Sequence, residues 1–280
     1  MRHCPWKAVC ACIFSLFILT SGGAKAGPTE CHIYDGTIYQ NKPAERPGML
    51  DIHVVYQSDL WNPQLPDAPL PWRPRVEAAA RTAEARNVPL VFDIERWPVD
   101  ATVSDEQVAL VIGKLLEIVQ WARAAAPTVK LGYFTLAPMA ASSWAVAPKG
   151  SEDNLAWRRA NDRMRPLADA VDIIFPYVYT YKNNPAEWEG QALGNIREAH
   201  RYGKPVYVFI WPQYTERDKE LGYTFIPSEF WRRQLAVACE QADGVVIWGG
   251  WDPKLRQRAN WDDSAQWYRD VQVFLGLRSE

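Results

Sequence analysis

The chain reads as an α/β protein built on a parallel sheet, and three features of its 280 residues say so. Short apolar runs alternate with longer segments of helical character along most of the chain. The short runs, such as Leu90-Val91-Phe92 and Val245-Val246-Ile247, are continuously apolar rather than alternating. Strands covered on both faces carry that signature, and half-exposed antiparallel strands do not. No Gly-x-Gly-x-x-Gly or phosphate-binding loop is present, which disfavours a dinucleotide-binding sheet. Six or seven strands can be counted in one domain, so a TIM-like (β/α) barrel with fewer than eight strands is the predicted architecture.

The elements follow in order. Residues 27–48 are rich in Pro, Gly and polar groups, with a short apolar piece at 32–39 that reads as a strand. A second strand is expected over 50–56. Residues 61–71 hold too many prolines for a helix and read as an ordered loop. An Ala-rich helix over 75–86 feeds a strand at 89–95. Ser104 and Gln107 form a capping box for a helix reaching about residue 125, whose stripe includes Val108, Val111, Ile112 and Leu115. Strands are expected at 130–136, 171–179, 205–211 and 244–248. Helices are expected at 151–170, 185–202, 227–241 and 262–275, with a long loop at 137–150.

The N-terminus has a basic start (Arg2, Lys7), an apolar run over 8–20 and a small-x-small site at Ala24-Lys25-Ala26. That order predicts a secretory signal peptide over 1–26, too short in its apolar part for a stable membrane anchor, and hence a secreted or periplasmic protein of residues 27–280. Losing Arg2, Lys7 and Lys25 takes the formal charge from −2 to −5. Such a balance argues against nucleic acid as a partner and gives no general pull toward a polyanion. Cys31 and Cys239 are the cysteines left in an exported chain, and a disulfide between them is predicted. His32, His53 and His200 stand alone, so no metal site or other cofactor is expected.

The chemistry is expected where the 89–95 strand ends. Asp93 and Glu95 are two residues apart and would share a face, with Cα atoms roughly 6.5–7 Å apart. Two carboxyls that close cannot ionise independently, so one keeps its proton toward neutral pH. A protonated acid beside an ionised one is the equipment of glycoside cleavage. In a β/α barrel the C-terminal strand ends share one mouth, so Trp97, Tyr133, Tyr177, Tyr179, Tyr207, Trp211, Trp248 and Trp251 are candidates for stacking on sugar rings.

Phe92-Asp93-Ile94-Glu95-Arg96-Trp97-Pro98 resembles the Asp-x-Glu-x-Trp catalytic strand of the hyaluronidase family of glycoside hydrolases. Leu131-Gly132-Tyr133-Phe134, Phe175-Pro176-Tyr177-Val178-Tyr179 and Pro205-Val206-Tyr207-Val208 look like its following strands. Val245-Val246-Ile247-Trp248-Gly249-Gly250-Trp251-Asp252 is similar to its last one. The resemblance covers residues 88–252 and implies a distorted barrel of about seven strands that cleaves polymers containing N-acetylhexosamine. It also implies roles. Glu95 would be the general acid and base, and Asp93 would orient the substrate's acetamido group. Tyr207 and one of Tyr177 or Tyr179 would bind that group, in a pocket lined by Trp248. Phe175 stands where the family has a tyrosine, and the Cys-rich C-terminal module of animal members is absent.

With Asp93 on the same strand as Glu95, and no second acid at the other strand ends, the expected reaction is retaining, with the acetamido oxygen as nucleophile. Two other readings fit the same residues: a lysozyme- or chitinase-like barrel hydrolase, and a catalytically silent glycan-binding barrel. The polymer, its linkage and the oligomeric state are left open by the sequence.

Overall fold

A computed structural model describes residues 31–139 and 142–279; the expected leader over 1–26 lies outside them. In chain order the elements are β1 (Ile33–Asp35), β2 (Leu50–Asp51), β3 (His53–Tyr56), α1 (Gln57–Leu60), α2 (Arg73–Ala85), β4 (Leu90–Asp93), α3 (Asp105–Ala125), β5 (Leu131–Tyr133), α4 (Ser142–Ala145), α5 (Glu152–Arg163) and α6 (Arg165–Ala170). Then come α7 (Pro185–His200), β6 (Tyr207–Ile210), α8 (Ser228–Gln241), β7 (Gly244–Ile247), β8 (Trp251–Asp252), β9 (Gln257–Arg258) and α9 (Gln266–Phe274).

The protein is α/β with parallel sheets. One sheet has the order β2-β1-β7-β6 and another the order β3-β4-β5. Only Ile52 separates β2 from β3 along the chain. The 174–177 segment lies between β5 and β6, with single parallel bridges Phe134–Phe175, Ile174–Val206 and Tyr177–Phe209. Pro176 sits in the middle of it and has no N–H to give a ladder, which is why this expected strand is reduced to bridges. Its carbonyl still accepts from the Phe209 N–H at 2.8 Å.

Alternation along the strands sorts side chains into two cores. Ile33, Leu90, Phe92, Leu131, Val208, Val245 and Ile247 pack with the helices. Tyr34, Val91, Phe134, Phe175, Phe209 and Val246 pack on the opposite face. Each fully buried side chain of this size contributes about 1.5–3 kcal/mol.

Local signals explain the helix limits. The Ser104 hydroxyl accepts from the Gln107 N–H at 3.3 Å and starts α3. The helix expected over 151–170 breaks at Met164, because Pro166 falls in the first turn of α6 and cannot continue the ladder of α5. The loop expected over 137–150 contains α4, and the β8–β9 hairpin was not foreseen.

Between β1 and β2 the chain runs without a helix. The buried Asp35 carboxylate is instead covered by Lys42 at 2.9 Å and Arg46 at 2.6 Å. The two cysteines expected to pair are joined: Cys31 and Cys239 have sulfurs 1.93 Å apart, across 208 residues of sequence. Among the described residues, no helix is long and apolar enough to cross a membrane.

Candidate active site

The strand ends build a cleft of about 310 Å³. β4 delivers Asp93 on the face of Val91, and Glu95 follows two residues later, so both reach the cleft. The Glu95 backbone N–H donates to the Gln57 side chain at 3.2 Å, which fixes the chain beyond the strand. Glu95 is exposed to the cleft, whereas Asp93 is half-buried. Burial, then the charge of Glu95 and a hydrogen bond with it, push the Asp93 carboxyl from 3.8 up to about 7. The pair therefore keeps a proton toward neutral pH, and burial puts that proton on Asp93.

Aromatic side chains form the walls. Trp248 stacks on Tyr179 (centroids 6.0 Å apart, planes at 28°) and meets Trp211 edge to face at 4.8 Å. Its indole N–H donates to the Tyr56 hydroxyl at 2.9 Å. Tyr56 is the strand neighbour of Asp93, so this bond ties the residue after β7 to β3 beside β4. Tyr177 and Tyr179 lie 4.8 Å apart, and the Tyr181 hydroxyl donates to that of Tyr177 at 3.2 Å. Burial raises the Tyr179 phenol well above its ordinary range, so its hydroxyl stays a donor.

Backbone geometry supports these positions. After Trp248 the chain turns through Gly249 and Gly250; at Gly250 φ is +95° and a Cβ would meet the Tyr39 nitrogen at 2.6 Å. Thr135, next to the cleft-lining Phe134, has φ +59°, an uncommon conformation for a β-branched residue. Such strain collects at functional sites.

Of the expected site residues, Asp93, Glu95, Tyr177, Tyr179, Trp211, Trp248 and Trp251 line the cleft together. Three others lie elsewhere. Tyr133 points to the helix face, where it is buried and its hydroxyl donates to the Leu115 carbonyl at 2.8 Å. Tyr207 is on the cleft-bearing face but at the opposite end of β6, stacked on Tyr34 at 5.1 Å. Trp97 lies beyond the end of β4, edge-on to Trp61 at 5.6 Å and covered by Lys114 at 4.9 Å. Cleft residues not anticipated include Tyr181, Thr215, Glu216, Arg217 and Tyr223, and Tyr56 joins them only through its bond with Trp248. Tyr56 ends a strand on the same face as Val54 and was legible by alternation. The others sit in loops whose sequence carries no periodic signal. Among the described residues there is no group of three or more His, Cys, Asp or Glu side chains able to hold a metal ion.

No model of a protein family matches the chain, and no curated protein matches its sequence. Solved structures do match. Bee venom hyaluronidase in complex with a hyaluronic acid tetramer aligns with a TM-score of 0.54 at 16% identity, over 79% of this chain and 90% of that one. A monoclinic crystal form of bee venom hyaluronidase aligns with the same score and identity over 88% and 96%. A broad-specificity GH5-4 endoglucanase from an uncultured bacterium aligns at 12% identity over 81% and 80%, with a TM-score of 0.48. At 16% identity the likeness to the bee venom enzyme is one of fold.

Proposed function

We propose that this protein is an exported, endo-acting glycoside hydrolase that cleaves an N-acetylhexosamine polymer by a retaining, substrate-assisted mechanism. The observation that carries this reading is the Asp93–Glu95 pair: a half-buried acid holding its proton up to about 7, next to an exposed one, at the head of an aromatic cleft. The fold shared with bee venom hyaluronidase supports a glycan as the substrate. The succession of parallel pairs from β1 round to β7 supports a distorted barrel of seven strand positions.

The steps follow from donors and acceptors. A substrate acetamido N–H is a donor and favours Asp93 as the carboxylate. The proton the pair shares then passes to Glu95, which faces the open cleft. Glu95 protonates the glycosidic oxygen as the acetamido carbonyl oxygen attacks C1 and the leaving sugar departs. The positive charge that develops on the cyclised sugar is stabilised by Asp93. Glu95, now a carboxylate, takes a proton from water, whose oxygen reopens the ring on the face of the original bond. Tyr177 and Tyr179 offer hydroxyl donors near the acetamido group, and Trp248 closes its pocket. Tyr207, walled off by Tyr34, has no part in this scheme.

Export follows from the expected leader and suits the Cys31–Cys239 disulfide. Digestion of a glycan panel with mass spectrometry of the products tests the whole reading. N-acetylhexosamine-containing oligomers are the expected products; the absence of cleavage across the panel, with glycan binding retained, would favour a silent binding barrel.

A further inference from the structure

The charges on the cleft walls are unbalanced in one direction. Among the described residues, three acidic side chains line the cleft, Asp93, Glu95 and Glu216, against one guanidinium, Arg217, and the first two share one proton. Arg217 lies over the Tyr181 ring, 5.0 Å from its centroid, and follows Glu216 directly in the chain. Arg96, next to Glu95, is turned elsewhere: its guanidinium sits 4.3 Å from the Trp61 ring and donates to the Pro66 carbonyl. Arg258 and Asp59 both act on Tyr56, and with opposite sign. Setting Glu216 against Arg217 leaves the single negative charge of the Asp93–Glu95 pair uncompensated. The rest of the wall is mainly aromatic, a surface suited to the C–H faces of uncharged sugars. The formal charge of the whole chain, −2, adds to the same field.

Resting on the glycosidase reading, we infer that the cleft selects an uncharged N-acetylhexosamine chain and rejects one that carries a carboxylate on alternate sugars. For a uronate on the sugar beside the reacting one, a separation of roughly 7 Å from the charge of this pair serves for the estimate. Coulomb's law, with an effective dielectric between 20 and 80, makes that an affinity loss of about 3- to 50-fold per carboxylate. The uronate would also shed water without gaining a cation in exchange.

The test uses the full chain and two oligosaccharides of equal length: an uncharged N-acetylglucosamine oligomer, and one alternating N-acetylglucosamine with glucuronate. Binding of thioglycoside-linked, uncleavable versions of both oligomers to the wild-type protein is measured by calorimetry at about 20 mM and about 500 mM salt, and turnover is measured with the natural oligomers. The uncharged oligomer is expected to bind at least about tenfold more tightly at low salt. Affinity for the acidic oligomer should rise with salt, because screening weakens repulsion. The ratio of acidic to uncharged turnover should rise in Glu216→Gln and fall in Arg217→Gln. Tighter binding of the acidic oligomer, weakening as salt rises, would overturn the inference and leave the glycosidase reading standing. A protein that neither binds nor cleaves either oligomer would overturn both.

Discussion

Replacing Asp93 by Asn should make the protein more stable at high pH while removing its activity. The unfolded chain releases the Asp93 proton near 3.8, whereas the folded protein holds it until about 7. Between those values the native state binds more protons than the unfolded state, so native stability falls as pH rises through this window. Below 3.8 the group costs nothing; above 7 the cost is complete. At 1.36 kcal/mol per pH unit the gap corresponds to about 4 kcal/mol, of which a half-buried, partly solvated carboxyl realises about 2–4 kcal/mol. Asn keeps the shape and never ionises. The variant should therefore match the wild type at pH 3.5, gain through the window, and exceed it by about 2–4 kcal/mol at pH 8.5. For a domain of this size that is about 4–16 °C in Tm. Chemical unfolding of both proteins at the two pH values reads the difference directly. An Asn variant destabilised equally at pH 3.5 and 8.5 would refute the reasoning, because Asp93 would then act through packing and not through a retained proton.

Other outcomes follow from single positions. Glu95→Gln should lower turnover by about 10²–10⁴-fold while glycan affinity, read by calorimetry, stays within a few-fold. Tyr179→Phe should lower kcat/KM, whereas Tyr207→Phe, at the far end of β6, should leave it unchanged; equal losses would contradict the placement of both tyrosines. Cys31→Ala with Cys239→Ala opens a loop of 208 residues and should cost about 5 kcal/mol in the chain-entropy account, measured by denaturant unfolding. Gly250→Ala should destabilise the turn after Trp248 and weaken glycan binding, since φ there is +95° and the methyl would meet the Tyr39 nitrogen.

Much of the fold was legible because covered parallel strands leave a dense apolar signal, and every strand position expected from it carries parallel pairing. What the pattern lacked was the reach of each strand. Extending the alternation of Asp93 and Glu95 puts Trp97 in the site, but β4 ends at Asp93 and Trp97 packs against Trp61 instead. Tyr133 lies one residue off the face that carries Phe134, so it points at the helices. Tyr207 has the right face and the wrong height: four residues before Trp211, it lies about 13 Å lower along the strand. Tyr56 passes both tests, and face and height together would have found it. Glu216 and Arg217 pass neither, since a loop between β6 and α8 brings them to the cleft and only the folded chain shows it. The break at Met164 was signalled by Pro166, which the broad charged pattern of 151–170 obscured.

The central claim is that the substrate's own acetamido group, held by Asp93 and driven by Glu95, performs the displacement. The configuration of the first-formed product tests it most directly. Proton NMR, recorded within the first minutes of hydrolysis of an N-acetylhexosamine oligomer and before mutarotation, should show the new reducing end in the configuration of the bond that was cut. An inverted anomer as the first product would contradict the account, because it requires a water attacking from the opposite face and a base that two carboxylates only two residues apart do not supply.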